Sequence, residues 1–154
     1  MQKEHILKYF SKKGFTLVEL MTSLSIVSVM MAVSLPGILS WIPEKQLRSA
    51  SRELHDNIQY ARIYAIKAGQ DCYLDFNEPN TGQYTLSLNS KTLKIADLSK
   101  YNDHLQFDDP PERITFRSNG ITRSNEKTEV KVTGGGKSYR TTVFVSGAIK
   151  LEEL

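Results

Sequence analysis

The spacing of hydrophobic and polar residues distinguishes two parts of the chain. One part, near the N-terminus, is almost entirely apolar, and the chain beyond it alternates apolar and polar residues with the periods of helices and strands. An almost uninterrupted apolar run extends from Phe15 to Leu35 and stops at Pro36 and Gly37. At about 1.5 Å per residue its helix would be roughly 32 Å long, close to the hydrocarbon thickness of a bilayer, about 30 Å. We therefore predict a helix over 15–35 that is long and apolar enough to lie in lipid.

After the proline, the helical period returns. Apolar residues recur at intervals of three and four, as in one stripe of an amphipathic helix. They are Leu47, Ala50, Leu54, Ile58, Ala61 and Ala65. Gly69 suits the end of this helix. Pro36 and Pro43 each remove a backbone hydrogen bond, so we predict a kink or a locally melted region within one helix from Phe15 to about Ala68.

Beyond Gly69 the hydrophobic period changes to two, which is typical of strands. Strands are predicted at 72–76, 84–88, 92–96, 114–116, 129–133, 141–145 and 148–151. The two prolines of 108–111 exclude a central strand there and predict a loop, and 134–136 predicts a hairpin loop. The fold class is α+β: a long N-terminal helix packed on an antiparallel β-sheet or sandwich head.

A motif at the start of the apolar run adds specific chemistry: Lys12-Lys13-Gly14-Phe15-Thr16-Leu17-Val18-Glu19. An ionised acid in a membrane helix costs about 2.5–3.5 kcal/mol on insertion scales, so Glu19 calls for a partner. The stretch resembles the processing and N-methylation site of type IV pilins and type II secretion pseudopilins. The resemblance implies that a prepilin peptidase cuts after Gly14 and methylates the new amine of Phe15. It also places Pro36 where pilin helices commonly carry a proline.

The resemblance gives Glu19 a role in assembly. In a filament its carboxylate would lie beside the Phe15 ammonium of a neighbouring subunit, which compensates two desolvation costs and fixes the axial register. The alternative is an acid near the membrane interface that is hydrated or protonated. The implied partners are other pilin-like subunits, the prepilin peptidase, inner-membrane lipid and an inner-membrane assembly platform.

The domain organisation follows from the same motif. We expect a leader over 1–14, a transmembrane or filament-core helix over 15–35, an amphipathic continuation over 36–69 and a β head over 70–154. Four lysines in the leader keep it cytoplasmic, so the anchor would sit in a bacterial inner membrane with the head in the periplasm or outside. Two alternatives are an uncleaved anchor and an ordinary secretory signal cut near Ala32-Val33-Ser34. The length of the apolar run and the acid inside it count against an ordinary signal.

The second half of the chain carries a weaker resemblance. Ile114-Thr115-Phe116 with Asn119-Gly120, and Val143-Phe144-Val145 with Gly147-Ala148-Ile149, resemble elements of the GspH/FimT class of minor pseudopilins. Cys72 is the only cysteine, so the disulfide loop of many major pilins cannot form, and we predict a buried, inert thiol. The resemblance implies a structural subunit that assembles into or primes a type II secretion pseudopilus or a type IV pilus, not an enzyme.

Charge limits the partners. Without the leader the chain holds 16 basic and 16 acidic residues, so no global attraction to nucleic acid is expected. Within the head, 71–109 has a net charge of −4 and 112–140 a net charge of +4. These charges could be a solvated surface, subunit contacts or contacts to a DNA backbone. The candidates are Arg113, Arg117, Arg123, Lys127, Lys131, Lys137 and Arg140.

Two further observations restrict the function. Some minor pilins of the resembled class serve DNA uptake through an arginine-rich C-terminal strand, but here the end of the chain, 149–154, is acidic. The glycine run before Lys137 lacks the earlier glycine of a phosphate-binding loop, since position 131 is lysine. The H-E-x-x-H, C-x-x-C and G-x-S-x-G patterns do not occur. The sequence therefore predicts no catalytic residue, metal or cofactor.

Overall fold

The computed structural model describes residues 14–154, apart from the side chains of 35–40. Most of the predicted leader therefore lies outside the described residues. The chain divides into two compact units at Leu39 and Ser40. Helix α1, Leu17–Ala68, begins in the first unit and ends in the second. Its assignment continues through Pro36 and Pro43, so the locally melted segment predicted there is wrong, while a bend at either proline stays a prediction.

The second unit, called the head unit below, contains the rest of the secondary structure. Its strands are β1 (Cys72–Phe76), β2 (Gln83–Leu88), β3 (Lys91–Asp97), β4 (Gln106–Asp108), β5 (Arg113–Phe116), β6 (Thr128–Gly134), β7 (Lys137–Val143) and β8 (Ile149–Glu153). A short 3₁₀ helix, Leu98–Lys100, follows β3. All strand pairs are antiparallel, and the sheets run β3-β2-β1-β5 and β4-β6-β7-β8. The predicted α+β class is confirmed.

One hydrophobic core joins the helix to both sheets of the head unit. The predicted helical stripe is confirmed in full, since all six of its members are at most 1% exposed. It packs with Leu74 and Phe116 of the first sheet and with Val130 and Val143 of the second. A helix with one apolar side can bury it only against such a surface, and here two sheets supply that surface.

Two of the strand predictions need correction. Strand β4, which pairs with β6 at the edge of its sheet, was not predicted, and the loop expected over 108–111 begins one residue later, at Asp109. The two prolines that follow end the strand without interrupting it, and an edge strand needs only one bonded side. Strand β7 begins at Lys137, earlier than predicted, because Gly135 and Gly136 make a two-residue hairpin turn. Both have positive φ, as that turn requires.

The single cysteine is buried, as predicted. Cys72 opens β1 and its residue is 0% exposed. Burial raises the pKa of its thiol to about 11, because the thiolate would lose its hydration inside the core. At neutral pH the reactive thiolate is therefore scarce, which supports the prediction of an inert thiol.

Candidate functional site

The first unit presents an apolar helix with no covering protein surface. Every described side chain from Gly14 to Ser34 is exposed, including Phe15 at 82%. The segment Leu17–Ser34 is long and apolar enough to cross a membrane. So much exposed apolar surface is unfavourable in water, so this segment is a candidate membrane span.

The start of this helix is capped by the motif itself. Thr16 precedes the first helical residue, Leu17, and its carbonyl oxygen accepts the first intrahelical bond, from Leu20. The backbone N–H of Glu19 donates to Thr16 Oγ1 at 3.2 Å. Thr16 is thus an N-cap and Glu19 the third helical residue, the T-x-x-E spacing of a capping box. The sequence analysis missed this role, although the spacing was available to find it.

The acid side chain of Glu19 is free for another role. It is exposed, and no hydrogen bond or ion pair reaches its carboxylate from any part of the chain that the structure describes. Its position in the first helical turn places a negative charge at the positive end of the helix dipole. The sequence prediction that this carboxylate pairs with another subunit stays a prediction.

The hydroxyl residues of the apolar segment bond their own backbone. Each of these hydroxyls donates to the carbonyl oxygen of the residue four positions earlier, which satisfies it within the helix. They are Thr22, Ser23, Ser25, Ser28 and Ser34, with distances of 2.7 to 2.9 Å. Hydroxyls whose hydrogen bonds are made within the helix are compatible with lipid. Because these side chains are small, they also let a neighbouring helix approach closely.

Most of the candidate cations of the head form ion pairs within the same molecule. Arg113 pairs with Asp75, Arg123 with Asp71 at 3.3 Å, and Lys131 with Asp108 at 3.7 Å. Each of these pairs joins the acidic segment, 71–109, to the basic segment, 112–140. The two segments therefore neutralise each other inside one head, an arrangement that the sequence analysis did not consider.

The remaining candidates, with one exception, pair with acids outside the acidic segment. Lys137 Nζ lies 2.8 Å from Glu44 Oε2 of the helix and 3.8 Å from Glu153 Oε1 of β8. Arg140 Nε lies 3.3 Å from Glu129 Oε2. Lys127 also pairs with Glu129. Arg117 is exposed and has no ion pair among the described residues. Six of the seven candidates therefore pair with an acid of the same chain.

A polar network ties the helix to the first sheet. Lys94 Nζ donates to Glu53 Oε1 at 2.8 Å and to Asn57 Oδ1 at 3.0 Å. The hydroxyl of Tyr101 donates to Glu53 Oε2 at 2.8 Å, and Asn57 Nδ2 donates to the hydroxyl of Tyr84 at 2.6 Å. Burial alone would raise the pKa of Glu53, but the hydrogen bonds from Lys94 and Tyr101 outweigh it and hold this pKa below its usual value.

This network predicts that acid weakens the head unit. Because the pKa of Glu53 is lower in the folded state, its stabilisation is present above the unfolded pKa and is lost as pH falls through the folded pKa. Glu53→Gln should therefore lower the free energy of unfolding by about 1 kcal/mol at pH 7 and by much less at pH 3. Urea unfolding at both pH values measures this, with Glu126→Gln, an exposed acid, as the control. An equal effect of Glu53→Gln at both values would contradict the role of its charge.

Two glycine turns and one arginine form a second contact between helix and head. Arg62 Nε donates to the carbonyl oxygen of Gly120 at 3.1 Å. Gly120 and Gly147 have φ of +78° and +80°, and a Cβ at Gly147 would overlap the Gly120 carbonyl and approach Arg62 Nε to 2.8 Å. Both glycines belong to the elements on which the head resemblance was based. Their packing against each other could not be found from spacing alone.

The comparisons with known proteins agree with this arrangement. The family model of the prokaryotic N-terminal methylation motif matches residues 10–35 of this chain. The family model of type II transport protein GspH matches residues 50–148. The type IV minor pilin FimU of Pseudomonas aeruginosa superposes with a TM-score of 0.61 at 20% identity, covering 71% of this chain and 90% of that chain. The minor pseudopilin EpsH of the Vibrio cholerae type 2 secretion system gives 0.55 at 16% identity, covering 70% and 97%. No curated protein sequence matches the chain.

Over about 70% of this chain, both solved structures share its α+β fold, which defines the class of pilin-like proteins. Since the GspH model spans most of the chain, the chain belongs to the GspH family of minor pilins and pseudopilins. Members of this family are structural proteins and not enzymes. The N-terminal motif match supports processing by a prepilin peptidase and assembly with other pilin-like subunits.

Proposed function

We propose that this chain is a structural minor pilin or pseudopilin that assembles into, or primes, a type II secretion pseudopilus or a type IV pilus. The observation that carries the proposal is the uncovered apolar helix that starts three residues after Gly14 and precedes a complete β head. A monomer cannot bury this helix. Lipid covers it before assembly, and the helices of neighbouring subunits cover it in the filament.

The proposed processing site suits cleavage. Gly14, Phe15 and Thr16 lie before the first helical residue and are exposed. A peptidase can therefore reach the bond between Gly14 and Phe15 without unwinding the helix. Cleavage leaves Phe15 as the amino terminus and Glu19 as the fifth residue, within one helical turn of it. In the filament, the Glu19 carboxylate of one subunit pairs with the Phe15 ammonium of the next and sets the register.

The proposed location follows the same order of segments. The apolar helix anchors the chain in the bacterial inner membrane, the leader faces the cytoplasm and the head faces the periplasm or the outside. From there an inner-membrane assembly platform moves the subunit into the filament. Pro36 and Pro43 allow α1 to bend between its membrane half and its head half.

The mass and the first residues of the membrane form test this proposal. We expect the purified chain to begin at Phe15 with a methylated amine and to be recovered in sheared filaments. A Gly14→Leu chain should keep its leader and stay in the membrane. A mature form that begins at Met1 or near Leu35 would contradict the proposal, as would assembly of the uncleaved chain.

DNA binding at a pilus tip is the alternative proposal. It would use the basic segment 112–140, in which Arg117 is exposed and the side chains of Arg113 and Arg123 are more than half exposed. The ion pairs of these arginines reduce their attraction for phosphate. Gel shifts with the head unit, titrated with salt, test it: a steep fall of affinity with salt supports DNA binding, and no shift at low salt excludes it.

A further inference from the structure

Strand β8 forms one edge of the second sheet and pairs with β7 on its other side. In an antiparallel pair the backbone groups of successive residues point alternately toward and away from the partner strand. The N–H of Leu154, directly after β8, donates to the Ser138 carbonyl oxygen at 3.0 Å, so Leu154 faces β7. The residues one, three and five positions earlier therefore present their N–H and C=O groups outward. They are Glu153, Leu151 and Ile149.

This outward row of backbone groups is uncovered. Among the described residues, β8 pairs with no strand other than β7, and no backbone group of a turn or loop bonds to its outer side. Every residue of the strand is at least partly exposed. Unpaired N–H and C=O groups along a strand edge are a template on which a further strand can pair.

The other three sheet edges carry features that limit such pairing. Strand β4 has three residues and is followed closely by Pro110 and Pro111. Strand β3 shifts its register against β2. The outer side of β5 is occupied by the loop after it, since the N–H of Arg123 donates to the Thr115 carbonyl oxygen at 2.9 Å. In contrast, β8 contains no proline and pairs with β7 without a shift of register.

The charges of β8 suit a second copy of the same strand. Lys150 and Glu152 lie on one face of β8, where Lys150 Nζ pairs with Glu152 Oε1. If two β8 strands run antiparallel with Leu151 opposite Leu151, the outward residues of one strand meet those of the other. Each Lys150 then lies directly opposite a Glu152, which is a favourable cross-strand pair.

The same charges disfavour the neighbouring registers. Sliding one strand by two residues brings Lys150 opposite Lys150 or Glu152 opposite Glu152, and like charges directly opposite each other are destabilising. Sliding it by one residue sets outward backbone groups against inward ones, so their hydrogen bonds cannot form. The strand is therefore complementary to itself in one register.

We propose that β8 is a dimerisation edge, at which two copies of this chain join their four-stranded second sheets into one continuous sheet about a two-fold axis. The occupant is a second copy because β8 supplies both the outward backbone groups and the opposite charges that the contact needs. Such a contact uses the same surface on both copies, so it closes at the dimer and does not propagate. The proposal concerns the head unit alone and goes beyond assembly into a filament.

Cysteines at the two charged positions test the register. In the proposed pair, residue 150 of one copy and residue 152 of the other have Cα atoms about 4.5 Å apart, within reach of a disulfide. Two copies of residue 150 are diagonal neighbours at roughly 7–8 Å, beyond that reach. Full-length Lys150→Cys and Glu152→Cys chains, mixed in detergent and mildly oxidised, should therefore give about tenfold more linked dimer than either variant alone. Cys72 is buried and should not react.

The outcomes of this experiment separate the proposed contact from other ways of association. A linked dimer that forms mainly in the mixture supports the register. No linked dimer in the mixture, or equal yields from the mixture and from Lys150→Cys alone, would overturn the proposal.

Charge reversal with rescue tests the energetic role of the same pair. Lys150→Glu sets like charges opposite each other and should weaken dimerisation of the full chain, measured by sedimentation in detergent, about tenfold. Adding Glu152→Lys to that chain restores opposite charges and should restore the dimer. Lys91→Glu makes the same change at an exposed lysine of β3 and should dimerise like the wild type. A wild-type chain that stays monomeric, or a double variant no tighter than Lys150→Glu alone, would refute the pairing.

Discussion

Glu19→Val should be cleaved and methylated normally and yet be lost from filaments. Valine is at least as compatible with lipid as glutamate, so insertion and presentation of Gly14 to the peptidase are unchanged. In the filament, the Phe15 ammonium of the neighbouring subunit would then be buried without a partner. Removing one member of a buried ion pair typically costs about 3–5 kcal/mol, so incorporation should fall roughly 100-fold or more. The measurement compares the processed chain in membranes and in sheared filaments.

A polar residue of the same helix supplies the control. Ser25 donates its hydroxyl to the Met21 carbonyl oxygen at 2.8 Å, so Ser25→Val removes only a locally satisfied group and should assemble normally. Glu19→Gln keeps the shape of the side chain without its charge and should fail like valine. Normal incorporation of either Glu19 variant would contradict the pairing of Glu19 with Phe15.

Gly147→Ala should destabilise the head unit far more than Gly136→Ala does. Both glycines have φ near +80°, where any other residue costs about 1–2 kcal/mol. A Cβ at Gly136 meets open space, whereas one at Gly147 meets the Gly120 carbonyl and Arg62. Overpacking adds about 1–3 kcal/mol, so we expect a loss of roughly 2–5 kcal/mol at Gly147.

Urea unfolding of residues 40–154, which contain the whole core, measures both variants by circular dichroism. The difference between them isolates the steric term, since the backbone term is common to both. If the two variants lose the same stability, then the turn at Gly147 has room to move and the packing of the two glycine turns does not hold the head together.

The sequence predicted the fold best for those elements that are set by residues close to one another along the chain. The helical stripe from Leu47 to Ala65 was correct because its spacing follows from the helical repeat alone. Strand β1 was predicted with its observed bounds because the alternation of apolar and polar residues in a strand is likewise a local pattern. Strand β4 was missed, because an edge strand of three residues depends on pairing with β6, which is distant in sequence.

The charges of the head show the same limit. The sequence separates acids from bases along the chain, which left open a solvated surface, contacts between heads or contacts with DNA. The structure folds the two segments together and pairs Asp71 with Arg123 and Asp108 with Lys131. Ion pairs between residues tens of positions apart depend on strand order, and strand order has no local signature.

By itself the sequence determined the apolar N-terminal helix, the methylation motif and the helical face that packs on the head, because periodicity and motif spacing are local properties of the chain. Only the tertiary structure decided that the head consists of two sheets on one core and that six of the seven candidate cations pair with acids of the same chain. Which side chains are buried or paired depends on contacts between segments that are distant in sequence. These contacts form only on folding and are set by the packing of the whole head unit.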